Sequence, residues 1–313
     1  MSNASVASRP KMPVQAEHFK RDIRNMESGY GFEVTPSHLT LLNKAGAGHK
    51  YMHGHAVIIS GSAGQGGAAR LAARGALRIG AGVVSVLSAA DAVAEHAAQL
   101  NAIMVKSYDR ADTYLDGLIA LKPSAICIGP SLGLGHASQA KVWATLTLTI
   151  PMCIDADAIT LIAANKPHIL HEDAVMTPHE GEMRRLIPQA FEQTTCRVSL
   201  AQIAAKTMGG VVLFKGADTV IAQPSGAYQI VRSQPFEHAA WLATAGSGDV
   251  LSGIITGLLA RGFRAPDAAA VGAYMHLQCA DAFGPGLIAE DIPEMLPRVL
   301  AHCLSNGRQR RPD

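Results

Sequence analysis

A glycine-rich turn ending in a carboxylate, Gly246-Ser247-Gly248-Asp249, is the part of this sequence best equipped for chemistry. It sits within Leu242–Gly257, where the turn opens directly into a helical pattern. Glycines let a backbone bend tightly and come close to a ligand. The first turn of a helix leaves N–H groups unpaired and carries positive partial charge, so it suits a phosphate or a developing anion. A carboxylate beside such a site repels the anion. The arrangement makes sense if Asp249 takes a proton from a nucleophile arriving at a phosphoryl group. Acidic residues also open helices for structural reasons alone, so the rest of the chain has to decide.

Five further polar turns each follow a short apolar run. Gly61-Ser-Ala-Gly-Gln-Gly-Gly67 could form an anion-binding turn, although it lacks the spacing and the Lys-Ser/Thr of a P-loop. The others are Gly129-Pro-Ser-Leu-Gly133, Asp155-Ala-Asp157, Thr177-Pro-His-Glu-Gly-Glu182 and Lys215-Gly-Ala-Asp-Thr219. Each has a structural explanation when taken singly. Glycines after strands make turns. Asp155 and Asp157 could cap the helix that follows. His179 could be a loop histidine capping the next helix, and Lys215 a solvated turn residue. Taken together, six polar turns point to one cleft that binds a phosphorylated ligand.

The elements that must position these turns alternate. Apolar strands are expected at His55–Ser60, Gly82–Ser88, Ile103–Val105, Ala125–Gly129, Met152–Asp155, Ala174–Thr177 and Val211–Phe214. Helices are expected at Gly66–Ile79, Asp91–Leu100, Ala137–Leu146, Ala158–Ala164, Glu180–Leu186 and Leu200–Met208. A hairpin of Thr219–Ala222 and Tyr228–Val231 follows, then three helices at 248–260, 266–282 and about 290–304. Strands apolar throughout, alternating with helices, indicate a mainly parallel sheet covered on both faces. Ligands then bind beyond the carboxyl ends of the strands, where all six turns fall. The reading is one α/β domain over 43–306, an N-terminal arm with a short helix over 1–42, and a polar tail over 307–313.

Composition narrows the function. The chain has 313 residues, 48% hydrophobic and 17% charged, which supports a large core. With 27 basic against 25 acidic residues and few aromatics, no dedicated nucleic-acid surface is expected. Cys127, Cys153, Cys196, Cys279 and Cys303 form no CxxC pair, and Cys127 and Cys153 read as core thiols. No secretory leader pattern and no membrane-length apolar run are visible, so a soluble cytoplasmic protein is expected.

In order and number, the motifs resemble the ADP/ATP-dependent NAD(P)H-hydrate dehydratases, a branch of the ribokinase-like fold. The matching residues are His49-Lys50, Gly61-Ser62, Gly67-Ala-Ala69, Gly80-Ala-Gly82, Gly129-Pro130 with Leu132-Gly133, and Asp155-Ala-Asp157-Ala158. They continue with Thr177-Pro-His179, Gly181-Glu182, Lys215-Gly216 with Thr219, and Leu242–Gly246 with Gly248-Asp249. The resemblance implies a three-layer αβα sandwich with a mostly parallel central sheet. It also implies repair of NADH or NADPH whose ring has taken up water: the ring hydroxyl is phosphorylated, then phosphate is eliminated. Asp249 would be the base and a substrate contact, with Gly246, Ser247 and Gly248 stabilising the phosphoryl group. Ala68, Ser131 and His179 would contact the hydrate. Lys215, Gly216, Ala217, Asp218, Thr219 and Gly248 would hold ADP or ATP, and Asp155 and Asp157 would meet Mg2+ through water. ADP is favoured over ATP. Relatives suggest a homo-oligomer, a tetramer above all. Gly253 and Gly257 would permit close helix packing, within the subunit as well as between subunits.

Several positions depart from the family pattern. Ser131 stands where Gly-Pro-Gly is usual, Glu180 replaces a proline, and Tyr51 replaces the glycine after His-Lys. Asn101-Ala102 replaces a usual Pro-Glu, and Glu237-His-Ala-Ala-Trp241 stands where an asparagine is common. About 45 residues precede the matching part, too few for the epimerase domain of many bacterial members. A stand-alone dehydratase with a separate epimerase protein is therefore expected. The nearest rival is a ribokinase-like kinase for a sugar, hydroxymethylpyrimidine or thiazole alcohol, which would stop at phosphorylation. A nucleotide-binding module without turnover is the third reading.

Overall fold

Local sequence rules account for most of the elements. The computed structural model describes residues 32–44, 48–108, 113–165 and 170–309, so the expected arm before residue 32 lies outside the described residues. Thr35 caps the first helix, α1 (Pro36–Leu42): its hydroxyl accepts from the His38 N–H, and His38 Nδ1 accepts from the Thr35 N–H. The guanidinium of Arg261 covers the far end, donating to the carbonyls of Leu41, Leu42 and Asn43.

From β1 (His55–Ile59) onward strands and helices alternate. They are α2 (Gly67–Arg78), β2 (Val83–Ala89), α3 (Val93–Gln99), β3 (Met104–Tyr108), α4 (Tyr114–Ala120), β4 (Ala125–Ile128) and α5 (His136–Leu146). Next come β5 (Met152–Ile154), α6 (Ala156–Ala164), β6 (Ala174–Met176), α7 (Glu180–Leu186), α8 (Pro188–Gln193), α9 (Arg197–Met208) and β7 (Val211–Phe214). The hairpin is β8 (Thr219–Ala222) and β9 (Tyr228–Val231), and the chain continues as α10 (Ser247–Ala260), α11 (Ala265–Phe283) and α12 (Asp291–Gln309). Every expected strand is present. Two short helices, α4 and α8, escape the sequence reading. α4 spans 7 residues interrupted by Gly117, and α8 spans 6 and begins with a proline, so neither shows a full helical period. α12 runs beyond its expected end, into the segment read as a polar tail.

The strands form one 9-stranded sheet in the order β3-β2-β1-β4-β5-β6-β7-β8-β9, parallel from β3 to β7 and antiparallel through the hairpin. Side chains alternate between two cores. Ala56, Ile58, Cys127, Cys153 and Val175 face α2, α10, α11 and α12, while Val57, Ile59, Ile126, Ile128 and Met176 face α5, α6, α7 and α9. The result is the expected three-layer sandwich. All five cysteines are free thiols, and Cys127 lies beside Cys153 in the β4–β5 register.

The strand order reverses between β1 and β4, which opens a crevice at their carboxyl ends. α10 runs across this region from edge to edge. Ser252, in its first half, meets Asp155 after β5, while a Cβ on Gly54, just before β1, would strike the Ala260 carbonyl at its end. Its N-terminus therefore opens at the carboxyl edge of the sheet. The helix can lie so close because Gly253 and Gly257 face α2: side chains there would run into the Ala72 carbonyl and into Ile79 and the Ala76 carbonyl. These two glycines serve packing within the subunit.

Candidate active site

Three loops meet where α10 begins. Gly246, just before the helix, has φ 85°, a left-handed conformation that suits glycine, and a Cβ would press on Leu71 at 2.7 Å and Ala289 at 2.9 Å. The Ser247 side chain turns inward. His276 Nε2 lies 3.1 Å from its hydroxyl and 3.0 Å from its carbonyl oxygen. Since a carbonyl only accepts, His276 carries its proton on Nε2 and ties down the start of the helix. Burial pushes the His276 ring down to about 4, so it stays neutral. The N–H groups of Gly248 and Asp249 have no partner one turn back within the helix and lie at its positive end, while the Ser247 N–H donates to the Thr244 carbonyl at 3.4 Å.

Asp249 is half-buried on this first turn. Burial, reinforced by the charge of Asp155 and, more weakly, Asp157 and Glu182, pushes its carboxyl up to about 7, against the opposing pull of Lys215. A carboxylate poised near neutrality is what a general base at working pH requires. The neighbours come from separate strand ends. Asp155 follows β5 and is 1% exposed. Its Oδ1 accepts from Lys215 Nζ at 2.8 Å, and its Oδ2 accepts from Ser252 at 2.5 Å. Burial opposes its charge, but the Lys215 ammonium and these hydrogen bonds outweigh burial and hold the carboxyl below its ordinary value. Lys215 also lies 4.0 Å from Glu182 Oε2, and a Cβ on Gly248 would sit 3.5 Å from its ammonium. One half-buried cation thus links Asp155, Glu182 and the helix start.

The structural explanations fare differently. Asp155 occupies the cap position of α6 but makes no side-chain capping bond there. Asp157 Oδ2 instead accepts from the Gly133 N–H at 2.8 Å, joining this loop to the Gly129–Gly133 turn. That turn in turn presses on Gly61, where a Cβ would meet the Ser131 carbonyl. His179 does cap a helix: its Nδ1 accepts from the N–H groups of Gly181 and Glu182, while Glu182 Oε2 accepts from the His179 N–H at 2.8 Å. An Nδ1 that accepts leaves the proton on Nε2, which lies 3.7 Å from Glu182 Oε1 on a side chain that is 56% exposed. The Gly61–Gly67 turn already holds an anion of its own. Glu95, on α3, accepts from Gly64 N–H at 2.6 Å, Gly66 N–H at 3.1 Å and Arg70 at 2.7 Å. The turn is therefore filled by a carboxylate that its sequence did not disclose. Ala68 lies half-buried on the first turn of α2, just past it.

The Lys215–Thr219 loop is braced from two sides. Arg197 stacks 3.7 Å above the Phe214 ring and donates to the Lys215 carbonyl at 2.8 Å. Asp218 turns away from Lys215 and accepts from the Ser233 N–H at 2.9 Å. Gly216 and Ala217 between them are exposed. Ser252, His276, Arg197 and Glu95 were not singled out from sequence, because each acts through a partner far along the chain. Only Glu182, three residues after His179, carried a local signal, the spacing of a capping box.

Residues 56–301 match the sequence profile of the family described as NAD(P)H-hydrate dehydratase. The chain belongs to this family. It is 33% identical over 310 residues to the bifunctional NAD(P)H-hydrate repair enzyme Nnr of Moorella thermoacetica, covering 93% of this chain and 56% of that protein. Against the Escherichia coli enzyme of the same name it is 35% identical over 260 residues, 80% of this chain and 48% of that one. The chain thus spans about half the length of the curated relatives it matches. The ADP/ATP-dependent NAD(P)H-hydrate dehydratase of Bacillus subtilis, co-crystallised with ATP/Mg2+, superposes with TM-score 0.69 at 27% identity over 86% of this chain and 97% of that chain. A ribokinase from Arabidopsis thaliana shares the fold at TM-score 0.51 and 12% identity, covering 79% of this chain and 98% of its own.

Within this NAD(P)H-hydrate dehydratase frame the departures acquire physical meaning. Ser131, where the pattern has glycine, is held at φ 53°. Left-handed backbone costs a residue with a Cβ about 1–2 kcal/mol. Ser131→Gly is therefore expected to stabilise the protein by about 1 kcal/mol, read from urea unfolding midpoints at unchanged slope. Glu180, in place of proline, makes an exposed ion pair with Arg184 one turn on, at 2.7 Å, which solvent screens.

For Mg2+ the carboxylates set limits. Both Asp155 oxygens and one Asp157 oxygen already accept protein donors. Among the described residues, no group of three His, Cys, Asp or Glu side chains is arranged to hold a metal ion. Such a site fits an ion that keeps its waters and arrives with phosphates. Among the described residues, no helix is long and apolar enough to cross a membrane.

Proposed function

We propose that this chain dehydrates hydrated NADH or NADPH at the expense of ADP, with ATP as the alternative phosphoryl donor. The observation that carries this reading is Asp249 itself: a carboxyl pushed up to about 7, on the first turn of a helix, a place that suits phosphate. The ring hydroxyl attacks the terminal phosphorus of ADP, its proton passes to Asp249, and AMP leaves. The phosphate now on the ring then departs with loss of a neighbouring proton, restoring the reduced nicotinamide. Phosphate leaves far more readily than hydroxide, which is why a nucleotide is consumed.

In this scheme the N–H groups at Gly246–Gly248 stabilise the transferring phosphoryl group. Lys215, with the exposed Gly216–Ala217 stretch and Thr219, faces the nucleotide, and His179 Nε2–H, Ser131 and Ala68 face the hydrate. Asp155 and Asp157 would hold Mg2+ through water, and the ion, when bound with the phosphates, would supply charge neutralisation. The Bacillus subtilis neighbour crystallised with ATP/Mg2+ supports this donor and ion. A homo-oligomer, a tetramer above all, and a cytoplasmic setting with epimerase activity supplied alongside complete the proposal.

Mixing the protein with hydrated NADH, ADP and Mg2+ should restore the absorbance of reduced nicotinamide. ADP release from ATP with a sugar or thiazole alcohol, and no return of that absorbance, would instead make it a kinase.

A further inference from the structure

The segment between Ser233 and Ala245 is fastened at both ends to the loops assigned to the nucleotide. At its start, Asp218 of the Lys215–Thr219 loop accepts from the Ser233 N–H at 2.9 Å and from its hydroxyl at 3.3 Å. At its end it runs into the Gly246–Asp249 turn. These two loops adjoin, since the Lys215 ammonium lies 3.5 Å from where a Gly248 Cβ would be. In between, the His238 N–H donates to Asp281 on α11 at 3.3 Å, and Ala239–Leu242 coil into a short 3-10 turn. On this turn Leu242 packs toward the core while Trp241 is 44% exposed. The chain has only 2 tryptophans, and the other, Trp143 on α5, is half-buried against the core on the opposite face of the sheet.

A single exposed aromatic is ordinary on a protein surface. This one stands on the segment that joins the two loops that would grip the phosphates, a segment seated against α11. We propose that the Trp241 indole stacks on the purine ring of the bound nucleotide and sets the affinity for it. This rests on the nucleotide-dependent reading above. Every base offers a flat π face to an aromatic ring, so stacking gives affinity without selecting among bases by hydrogen bonding.

Trp143→Phe leaves Trp241 as the sole tryptophan reporter. In that protein, ADP should quench the emission saturably, at the concentration where calorimetry shows binding, and inorganic pyrophosphate should not. Trp241→Ala should weaken ADP binding about tenfold, within the range for one base stacked on an aromatic side chain, and Trp241→Phe should recover most of it. Pyrophosphate affinity should be the same in all three. ADP binding with the Trp241 emission unmoved, or an alanine variant within twofold of the parent, overturns the stacking assignment and leaves the nucleotide site standing. Absence of ADP binding to the unaltered protein overturns both. Quenching by NADH with none by ADP would move Trp241 to the dinucleotide and likewise overturn the assignment.

Discussion

Asp249→Asn lowers turnover of hydrated NADH by at least about a hundredfold, the usual worth of a positioned general base, while ADP binding survives. Asparagine keeps the shape of the side chain but takes no proton. The pH dependence of the unaltered protein gives a second reading. Asp249 acts only when ionised, and its carboxyl titrates at about 7. Activity should rise as pH increases through that value, and the asparagine variant should lose this limb. The same group affects stability in the opposite sense. Its folded value lies above its ordinary one, so ionisation is harder in the fold and stability falls as pH rises from the ordinary carboxylate range to about 7. Asp249→Asn should therefore unfold at higher urea than the parent at pH 8, by an amount on the order of 1–3 kcal/mol. Unchanged turnover would remove Asp249 from the mechanism, whatever happened to stability.

Lys215→Met has the second large effect, and here stability leads. Its ammonium is the cation paired with Asp155, whose side chain is 2% exposed. Removing it strands a buried carboxylate, which costs about 3–5 kcal/mol in comparable cases. The value expected here is near the lower end, about 3 kcal/mol, because the lysine side chain keeps 21% of its surface exposed and water can enter. In the unaltered protein the Asp155 carboxyl is held below its ordinary value, so its pairing stabilises above the ordinary range and is lost as pH falls through the depressed value. Without Lys215 the balance reverses: the loss is largest at high pH and shrinks as Asp155 takes up a proton. Adding Asp155→Asn to Lys215→Met should recover much of it. Lys215 also pulls the Asp249 carboxyl down, so the pH–activity limb of the single variant should move to higher pH. A stability loss below about 1 kcal/mol would fall within the range of surface pairs and dismiss the buried-pair account.

Much of the fold is legible in the chain because its signals are local. Val211–Phe214 is apolar at every position, which only a strand covered on both faces tolerates. Pro224-Ser225-Gly226 marks a hairpin, and Thr35 and Pro36 mark a helix start within a few residues of each other. α4 and α8 are missing from that reading because 7 and 6 residues are too few for a period of 3.6 to declare itself. The site is legible only in part. Gly246–Asp249 reveals itself because the loop, the helix and the carboxylate are contiguous. Lys215 looks like a free turn residue because its partner Asp155 lies 60 positions away, and nothing in either segment announces the other.

The sequence by itself determined the alternation of strands and helices, the glycine turn that opens α10, and the family. Each depends on residues near one another in the chain or on their order along it. Tertiary structure alone decided that Glu95 fills the first glycine turn, that His179 caps a helix through Nδ1, and that Asp155 pairs with Lys215 and accepts from Ser252. It alone therefore decided that Asp249 titrates near neutrality. The reason is electrostatic: a carboxyl's proton affinity depends on burial and on charges within a few ångströms, and strand order, not sequence distance, brings those charges together.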